Sequence, residues 1–361
     1  MKKPIDSGDG DSSGGAQSHG WAETQGVRPS MEDGMIRGEH LVQNFFLWAV
    51  LDGHSGRASV ERLVAWLPAA LRDGLSACGA RPETDEEMHR VIVTAVEATD
   101  RKLLAAQEAV GFDDGATALL VLADGDAWEC RKFYVAQVGD SQVVLCSAFG
   151  ADALATQHRT DEPDEAARLE AAGAKVQDDR VIGLTRSLAV TRAMGDRDVK
   201  AGGGLIATPA VTTHDVSAAD ELLILGCDGL WDVMAPEEAW SLAKRKGKSR
   251  GAWDLQKAAR ALVEGALNAQ TGDNVSVLVL SLRPPKGERP PPKCRPPPKL
   301  KPDALSITIG ANGRLQSVAL SAKGLLATPG WRAAPRLATM ARTAGAFRAP
   351  PSRPAPALVR P

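Results

Sequence analysis

Residues 47–56 of this chain read LWAVLDGHSG. The first five residues form a continuous apolar run, which predicts a β-strand. Asp52 and Gly53 follow the run, and Asp-Gly is a common turn dipeptide because glycine accepts a positive φ and the aspartate side chain can bond to its own backbone. The stretch therefore has two interpretations: the dipeptide ends a strand, or it also begins a site.

Comparable apolar runs along the chain predict further strands. They occur at 45–51, 116–122, 132–138, 141–146, 221–227 and 274–280. Stretches rich in Ala, Leu, Glu, Arg and Lys alternate with these runs and predict helices at about 57–75, 85–109, 163–173, 236–247 and 252–269. In a chain of 361 residues, this alternation predicts one mixed α and β domain over residues 19–282.

The two ends of the chain have a different composition. Residues 1–18 are mostly Gly, Ser and Asp, which predicts a disordered leader. Residues 283–361 hold 16 of the 23 prolines and 15 of the 43 Lys and Arg residues, with two acids, which predicts a basic and largely disordered tail. A solvated linker, an SH3-type ligand and a basic import signal are alternatives for its proline-rich part, so the tail is a candidate for binding a partner. Alternating apolar residues around Asn312-Gly313 predict a β-hairpin within it.

Charge and cysteine content exclude several classes of protein. Residues 1–282 carry 28 basic and 43 acidic side chains, so the core is not expected to bind nucleic acid, which requires clustered Lys and Arg. The five cysteines show no Cys-x-x-Cys spacing, which indicates buried reduced thiols rather than a disulfide framework or a zinc site. Neither a signal peptide nor an apolar segment of membrane length is found. We expect a soluble, monomeric, intracellular protein that resides in the cytoplasm, the nucleus or both and does not bind membranes.

Four separated apolar runs each have an aspartate at one end. These aspartates are Asp52, Asp140, Asp228 and Asp273. If these tips lie at one rim, the carboxylates converge, and two like charges about 4 Å apart repel by about 4 kcal/mol at an effective dielectric of about 20. A cation is then required, and oxygen ligands without a His or Cys grouping select Mg²⁺ or Mn²⁺. A pair of such ions suits a phosphate hydrolase. Four unrelated, solvated loop acids are the alternative.

A further acidic stretch, RPSMED, occupies residues 28–33. In an extended loop, Arg28 could reach a phosphate while Glu32 and Asp33 face the metals, because the guanidinium fork suits phosphate oxygens. An ordinary surface charge pair is the alternative.

The motifs, taken in order, resemble the PP2C (PPM) family of metal-dependent serine/threonine protein phosphatases. They are RPSMED, VLDGHSG, GATALLVL, VGDSQ, SLAVTRAMGD, LLILGCDGLWDVM and TGDNVSVLVL. The resemblance covers residues 19–282 and implies an α+β fold, in which a β-sandwich of two antiparallel sheets is flanked by α-helices on both sides. It also implies that a metal-bound water or hydroxide hydrolyses phosphoserine and phosphothreonine in phosphoprotein substrates, without a covalent phosphoenzyme.

The resemblance implies a ligand set for two Mg²⁺ or Mn²⁺ ions in a cleft at one end of the sandwich. Asp52 resembles the acid that bridges both metals, and the Gly53 carbonyl resembles a ligand of one of them. Asp228 and Asp273 resemble ligands of the other metal. Glu32 resembles a ligand that is reached directly or through water.

Other positions resemble residues around these metals. Arg28 resembles the clamp for the substrate phosphate, and Asp33 is expected to support the ligands from behind. Asp140 resembles the acid that, with Asp228, can hold a weaker third metal. His54 resembles the general acid that protonates the leaving alkoxide. A structural histidine bonded to a neighbouring carboxylate is the alternative for His54.

Four more residues within the motifs receive a structural interpretation. Cys227 lacks the Cys-x5-Arg loop of a thiol phosphatase and is expected to be a small buried hydrophobe. Thr117 is expected in a core strand, Asp196 as the anchor of a loop beside the site, and Trp231 packed behind the metal loop.

The sequence departs from the usual family pattern in three places. Gln142 stands where Arg is usual, which weakens the expectation of a third metal. Ser55 stands where Gly or Ala is usual, and the segment RVIGLTRSLAV is lengthened, which predicts a different loop near the cleft. A catalytically silent binding module and a different two-metal hydrolase are the alternative functions. Every principal acid is present, which favours an active phosphatase.

Overall fold

The structure is a computed structural model that describes residues 3–10, 18–78, 82–125, 130–249, 251–283, 305–309 and 315–320. The chain divides into two compact units, Met1–Cys294 and Arg295–Pro361.

The described helices, in chain order, are α1 (Ala58–Ala77), α2 (Asp85–Val110), α3 (Pro163–Ala171), α4 (Arg197–Ala201), α5 (Asp228–Trp231), α6 (Pro236–Gly247) and α7 (Leu255–Asn268). The described strands of the first unit are β1 (Asp6–Gly10), β2 (His19–Thr24), β3 (Gly34–His40), β4 (Phe45–Leu51), β5 (Gly53–His54), β6 (Gly115–Ala116), β7 (Ala118–Asp124), β8 (Lys132–Val138), β9 (Gln142–Ser147), β10 (Gly150–Ala153), β11 (Val176–Gln177), β12 (Arg180–Ile182), β13 (Ser187–Leu188), β14 (Met194–Gly195), β15 (Ala210–Asp215), β16 (Asp220–Gly226), β17 (Lys248–Ser249), β18 (Ala252–Trp253) and β19 (Val275–Ser281). Those of the second unit are β20 (Leu305–Ile309) and β21 (Leu315–Leu320).

Two antiparallel sheets form the body of the first unit. One has six strands in the order β1-β2-β19-β16-β9-β10, and the other has five in the order β15-β8-β7-β4-β3. Three small sheets accompany them, in the orders β14-β6-β5, β11-β12-β13 and β17-β18. The small sheet β14-β6-β5 continues directly from the apolar strand β4 and lies at the site described below.

Side chains of the central strands alternate between two hydrophobic layers, as the period of two along a strand requires. In β4, Phe46, Trp48 and Val50 pack against the six-stranded sheet, together with residues such as Leu225 and Leu278. The intervening residues of β4 face helices instead. Every residue of β4 and β19 is therefore buried, which explains why these strands read as continuous apolar runs rather than as polar and apolar alternation.

Helices cover the outer face of each sheet. Helices α1 and α2 pack on the five-stranded sheet through apolar side chains such as Leu67 and Ile92. Helices α6 and α7 pack on the six-stranded sheet through residues such as Trp240 and Leu262. The resulting order of layers is helix, sheet, sheet, helix, which confirms the predicted sandwich with helices on both sides.

Side chains satisfy the exposed N–H groups at the start of the long helices. The Thr84 hydroxyl accepts a hydrogen bond from the Glu87 N–H at the start of α2, as a residue that caps a helix N-terminus does. At the start of α1, the buried carboxylate of Asp114 accepts hydrogen bonds from the N–H groups of Ala58 and Ser59. Asp114 lies far from this helix in the sequence.

The N-terminal stretch differs from the prediction. Residues 6–10, predicted to lie in a disordered leader, form β1 and pair antiparallel with β2. The sequence DSGDG offers little to bury, so pairing of backbone groups and the contact of Gly8 with the Trp21 ring position this strand. Residues 11–17 of the predicted leader lie outside the described residues.

The remaining predictions on the termini and the cysteines have mixed outcomes. In the second unit, β20 and β21 pair antiparallel on either side of Asn312-Gly313, as the predicted hairpin requires. Most of the predicted disordered tail lies outside the described residues. Cys130, Cys146 and Cys227 are buried as expected, whereas Cys78 is exposed because it lies just beyond the last turn of α1. Among the described helices, none has the length and apolar character needed to cross a membrane.

Candidate active site

The four strand-end acids gather at one end of the sandwich. Asp52 follows β4 and Asp140 follows β8, two strands that run in the same direction on either side of β7. Asp228 follows β16 shortly after its last residue, and Asp273 precedes the antiparallel neighbour β19. Asp52 and Asp140 therefore lie at the same end of the five-stranded sheet. Asp228 and Asp273 likewise lie at the same end of the six-stranded sheet.

Asp52 and Asp228 bring the two sheets together at this end. Ligand atoms of Asp52, Cys227 and Asp228 all lie within 4.8 Å of one another. Asp52 as a residue is half-buried, and protein surrounds its carboxylate on most sides. This burial, followed by the negative charges of Asp33, Asp228 and Asp140, raises the pKa of Asp52 well above its ordinary value. Burial and the neighbouring charge of Asp140 likewise raise the pKa of Asp228 to about 6.

Asp33 lies close to this pair, and its charge acts on Asp52. Its side chain is buried, and its Oδ2 atom has no hydrogen-bond partner among the described residues. Burial raises the pKa of Asp33 to about 7, although the neighbouring Ser276 and Cys227 favour the ionised form. Unpaired buried carboxylates are costly unless a cation compensates their charge. This cluster therefore fits a bound cation.

The chemistry of the donors selects the kind of cation. Burial raises the pKa of the Cys227 thiol well above its ordinary value, and its Sγ donates to the Asn274 carbonyl at 3.5 Å. A protonated thiol is a poor metal ligand. The available donors are then carboxylate and carbonyl oxygens, which suit hard ions such as Mg²⁺ and Mn²⁺.

The loop that carries Glu32 lies against Gly53. A Cβ atom on Gly53 would fall 2.3 Å from the Glu32 carbonyl oxygen, so only glycine permits this approach. Asn274 holds the same loop from the other side. Its Oδ1 accepts from the Glu32 N–H at 2.9 Å, and its Nδ2 donates to the carbonyls of Gln25 and Ser30 at 2.9 and 3.0 Å.

Arg28 lies at the exposed edge of this loop. Its Nη2 contacts Asp273 Oδ2 at 2.5 Å, and its Nε donates to the Gly272 carbonyl at 3.1 Å. The side chain is about half exposed. Arg28 is therefore tied to one of the predicted ligands and also open to a ligand that approaches from solvent.

The small sheet β14-β6-β5 brings His54 to Asp196. His54 in β5 stands opposite Gly115 in β6, and Gly115 stands opposite Gly195 in β14. Because the two intervening residues are glycines, the His54 side chain reaches across to Asp196, the residue after β14. His54 Nε2 lies 2.9 and 2.8 Å from the two carboxylate oxygens of Asp196.

Asp196 is fully buried and adopts a left-handed backbone conformation with φ of 56°. Such a conformation is unfavourable for residues other than glycine, although aspartate tolerates it better than most. Burial opposes the charge on His54, but the Asp196 carboxylate outweighs this effect and raises the His54 pKa above its ordinary value. Asp196 thus keeps His54 oriented and favours its protonated form, rather than only anchoring a loop.

Asp140 stands slightly apart from the acidic pair. It is buried, and its Oδ2 accepts from Arg159 Nε at 3.0 Å. Burial raises the Asp140 pKa overall, and the charge of Arg159 offsets only part of that effect. The group formed by Asp52, Cys227 and Asp228 does not include Asp140.

Two supporting residues are Thr117, which lies between β6 and β7 rather than within a strand, and Trp231. Thr117 is buried beside β7, and its hydroxyl lies 2.9 Å from the Ser141 hydroxyl. Trp231 packs behind the loop of Asp228, and its Nε1 donates to the carbonyls of Gln142 and Gly226 at 3.0 Å each. The Gln142 backbone thus supports this loop, a role that does not depend on its side chain.

Sequence reasoning missed several residues that shape the site. Asn274 lies within the motif TGDNVSVLVL but was assigned no role, and Asp114 and Arg159 were not singled out. Asp114 accepts from the Ser59 hydroxyl at 2.6 Å and from two backbone N–H groups of α1. No local pattern marks these residues, because each acts on a segment that is distant in sequence. Asn274 is the exception, since the GDN triplet just before β19 was an available signal.

Comparison with known proteins supplies the family. A sequence model described as Protein phosphatase 2C matches residues 18–275. The chain is 32% identical over 280 residues to "Probable protein phosphatase 2C 59" of Oryza sativa subsp. japonica, which covers 76% of this chain and 78% of the relative. It is also 32% identical over 280 residues to "Probable protein phosphatase 2C 59" of Arabidopsis thaliana, with 76% and 82% covered.

A solved structure shows the same fold. The "serine-threonine phosphatase 2C from Toxoplasma gondii" superposes with a TM-score of 0.64 at 19% identity, covering 77% of this chain and 99% of that one. Together with the match over residues 18–275, these relatives show that the chain belongs to the protein phosphatase 2C family of serine/threonine protein phosphatases.

Proposed function

We propose that this phosphatase depends on two Mg²⁺ or Mn²⁺ ions, held at the end of the sandwich by Asp52 and Asp228, together with Gly53, Asp273 and Glu32. The observation that carries the proposal is the approach of Asp52 to Asp228, with ligand atoms within 4.8 Å, close to the buried Asp33. When bound there, the ions would supply the positive charge that activates water and stabilises phosphoryl oxygens.

The residues of the chain would bind and orient the phosphoprotein substrate around that centre. Arg28 is exposed at the rim and presents a guanidinium, which suits two phosphate oxygens at once. To do so, it would exchange its contact with Asp273 for the substrate phosphate. Asn274 would keep the loop of Arg28 and Glu32 in place during that exchange.

His54 would hold the proton that the leaving group needs. A serine or threonine alkoxide is a poor leaving group, and a positioned acid eases its departure. His54 Nε2 faces Asp196, so the proton given to the alkoxide would come from Nδ1. Asp196 would fix the ring and stabilise its charged form.

No side chain is proposed as a covalent nucleophile. Cys227 precedes Asp228, but its thiol is fully buried and its pKa is raised well above the ordinary value. A thiol in that state lacks the thiolate character that attack on phosphorus requires. Hydrolysis would then proceed by direct attack of water.

Phosphate release from a phosphothreonine peptide tests this function. The full chain should release phosphate with Mn²⁺ or Mg²⁺, lose activity on chelation, and regain it when the metal is restored. Asp228→Asn should abolish turnover, whereas Glu61→Gln, on the exposed face of α1, should not. Absence of turnover in pure, folded protein would favour a silent binding module, and preferential cleavage of a phosphodiester would favour a different hydrolase.

A further inference from the structure

One guanidinium joins two acids beside the proposed metal centre. Arg159 Nε donates to Asp140 Oδ2 at 3.0 Å, and Arg159 Nη2 donates to Asp232 Oδ1 at 2.9 Å. The Asp140 side chain is 6% exposed and that of Asp232 is 51% exposed. Arg159 therefore pairs with one buried acid and with one acid that is half exposed to solvent.

The backbone holds Arg159 in this position. The preceding residue, His158, donates its N–H to the Gly139 carbonyl at 3.0 Å and accepts from the Gly139 N–H at its Nδ1 at 3.1 Å. Gln157 Nε2 donates to the Asp140 carbonyl at 2.8 Å. The segment that carries Arg159 is thus bonded directly to Gly139 and Asp140, which follow β8.

A second segment confines the same backbone from the other side. The Thr191 N–H donates to the His158 carbonyl at 2.9 Å, and Arg159 forms an isolated β-bridge with Val190. Because both flanks are bonded, the guanidinium is preorganised at Asp140, and little conformational entropy is lost when it pairs there.

This arrangement does not fit a divalent ion at Asp140. Mg²⁺ binds carboxylate oxygens at roughly 2.0–2.1 Å and demands an octahedral set of oxygen ligands. The Oδ2 atom of Asp140 already accepts from the Arg159 guanidinium, and a divalent ion bound between Asp140 and Asp228 would meet the positive charge of Arg159. The close group of candidate ligand atoms contains Asp52 and Asp228 but not Asp140.

We propose that Arg159 is a built-in cation that takes the place of a third divalent ion, so that the chain binds two metal ions and leaves Asp140 to its guanidinium. The inference rests on the proposed two-metal centre and concerns only its stoichiometry. In this proposal, Arg159 compensates the negative charge of Asp140. The resemblance to the family would assign that role to an exchangeable metal ion. It also explains how the chain tolerates Gln142, since Arg159 already supplies the positive charge at Asp140.

Counting bound Mn²⁺ tests the proposal without an activity assay. Full-length protein is titrated with Mn²⁺, and the free ion is measured by electron paramagnetic resonance. The parent chain should bind two equivalents. Arg159→Gln should bind three, and the double variant Arg159→Gln/Asp140→Asn should return to two. Arg159→Lys, which keeps the charge, should stay at two, as should the matched control Arg260→Gln on the outer helix α7, where Arg260 pairs with Glu264.

The outcomes separate this inference from the proposed function. Three equivalents in the parent chain, with the third lost in Asp140→Asn, would overturn the inference and leave the two-metal centre standing. Two equivalents in a folded Arg159→Gln variant would overturn it as well. If the parent chain binds no Mn²⁺ that depends on Asp52, both the inference and the proposed function fail. A count of three in the parent chain would overturn the inference even if Arg159→Gln does not fold.

Discussion

Gly115 and Asp196 approach so closely that a Cβ atom on the glycine would fall 1.8 Å from Asp196 Oδ2. Gly115 therefore provides the space in which the Asp196 carboxylate reaches His54. Gly115→Ala should displace Asp196, lower the free energy of unfolding by about 2 kcal/mol and reduce turnover. Chemical denaturation and phosphate release measure the two effects.

The matched control is Gly272→Ala, because a Cβ there would meet nothing within 4 Å. It should leave the free energy of unfolding within about 0.5 kcal/mol of the parent value. Equal stability of the two variants would contradict the steric role of Gly115.

Asp196→Asn should separate the role of His54 from that of the metals. The variant keeps the shape of the side chain but loses the negative charge that faces His54 Nε2. Turnover of an alkyl phosphoester should fall by about 100-fold, the scale of general acid catalysis. An aryl phosphate with an acidic leaving group needs no proton, so its turnover should change far less. His54→Gln should show the same dependence on the leaving group, and equal losses on both substrates would rule out the acid role.

Asn274→Ala should free the loop that carries Arg28 and Glu32. The change leaves the Glu32 N–H and two carbonyls without their buried partner, which should cost about 2 kcal/mol of unfolding free energy. The apparent affinity for Mn²⁺ should fall as well. Asn274→Asp keeps the acceptor for Glu32, so it should retain more stability than Asn274→Ala. A parent-like Mn²⁺ affinity in Asn274→Ala would show that the loop does not depend on this side chain.

His158 should make the fold sensitive to mild acid. Burial, followed by the charge of Arg192, lowers the His158 pKa to about 4 in the folded chain. The unfolded chain takes up a proton near pH 6.5, so folding is favoured above that pH, and this contribution is lost as the pH falls toward 4. The contribution of His158 to the free energy of unfolding should therefore fall by about 3 kcal/mol over this window.

A variant isolates the contribution of this histidine. In His158→Asn, the dependence of unfolding free energy on pH between 6.5 and 4 should become shallower, whatever the absolute stability of the variant. His40→Asn is the control, because His40 lies on the exposed end of β3. An unchanged slope in His158→Asn would contradict the assignment.

The layered core was predictable because its signal is local. Strands such as β4 and β19 are buried on both faces, so their apolar runs are visible without knowledge of their partners. The strand-end acids were predictable for the same reason, since each follows or precedes such a run. The sequence predicted a shared cation if the strand ends meet at one rim, because converging carboxylates repel one another.

Residues that act across the chain were not predictable in this way. Asp114 caps α1 from 55 positions away, and Arg159 pairs with Asp232 from 73 positions away. Nothing in the neighbouring sequence distinguishes such residues from ordinary surface charges. Strand β1 was not predicted because it carries almost no apolar side chain. It pairs with its neighbour through backbone groups, which leave no pattern in the sequence.

Strand β1 also affects whether the six-stranded sheet can pair with a strand of another molecule. It lies at the margin of the sheet, where unpaired backbone groups can recruit a strand from a second chain and start aggregation. Asp6 and Asp9 are exposed along this short strand, and a second copy in register would bring like charges together. At the opposite margin, β10 has only four residues and lies beside α6. The exposed charges on β1 therefore disfavour pairing with a second chain at one edge of the sheet. At the other edge, β10 is short and lies beside a helix, so both edges should resist polymerisation of the enzyme through its sheet.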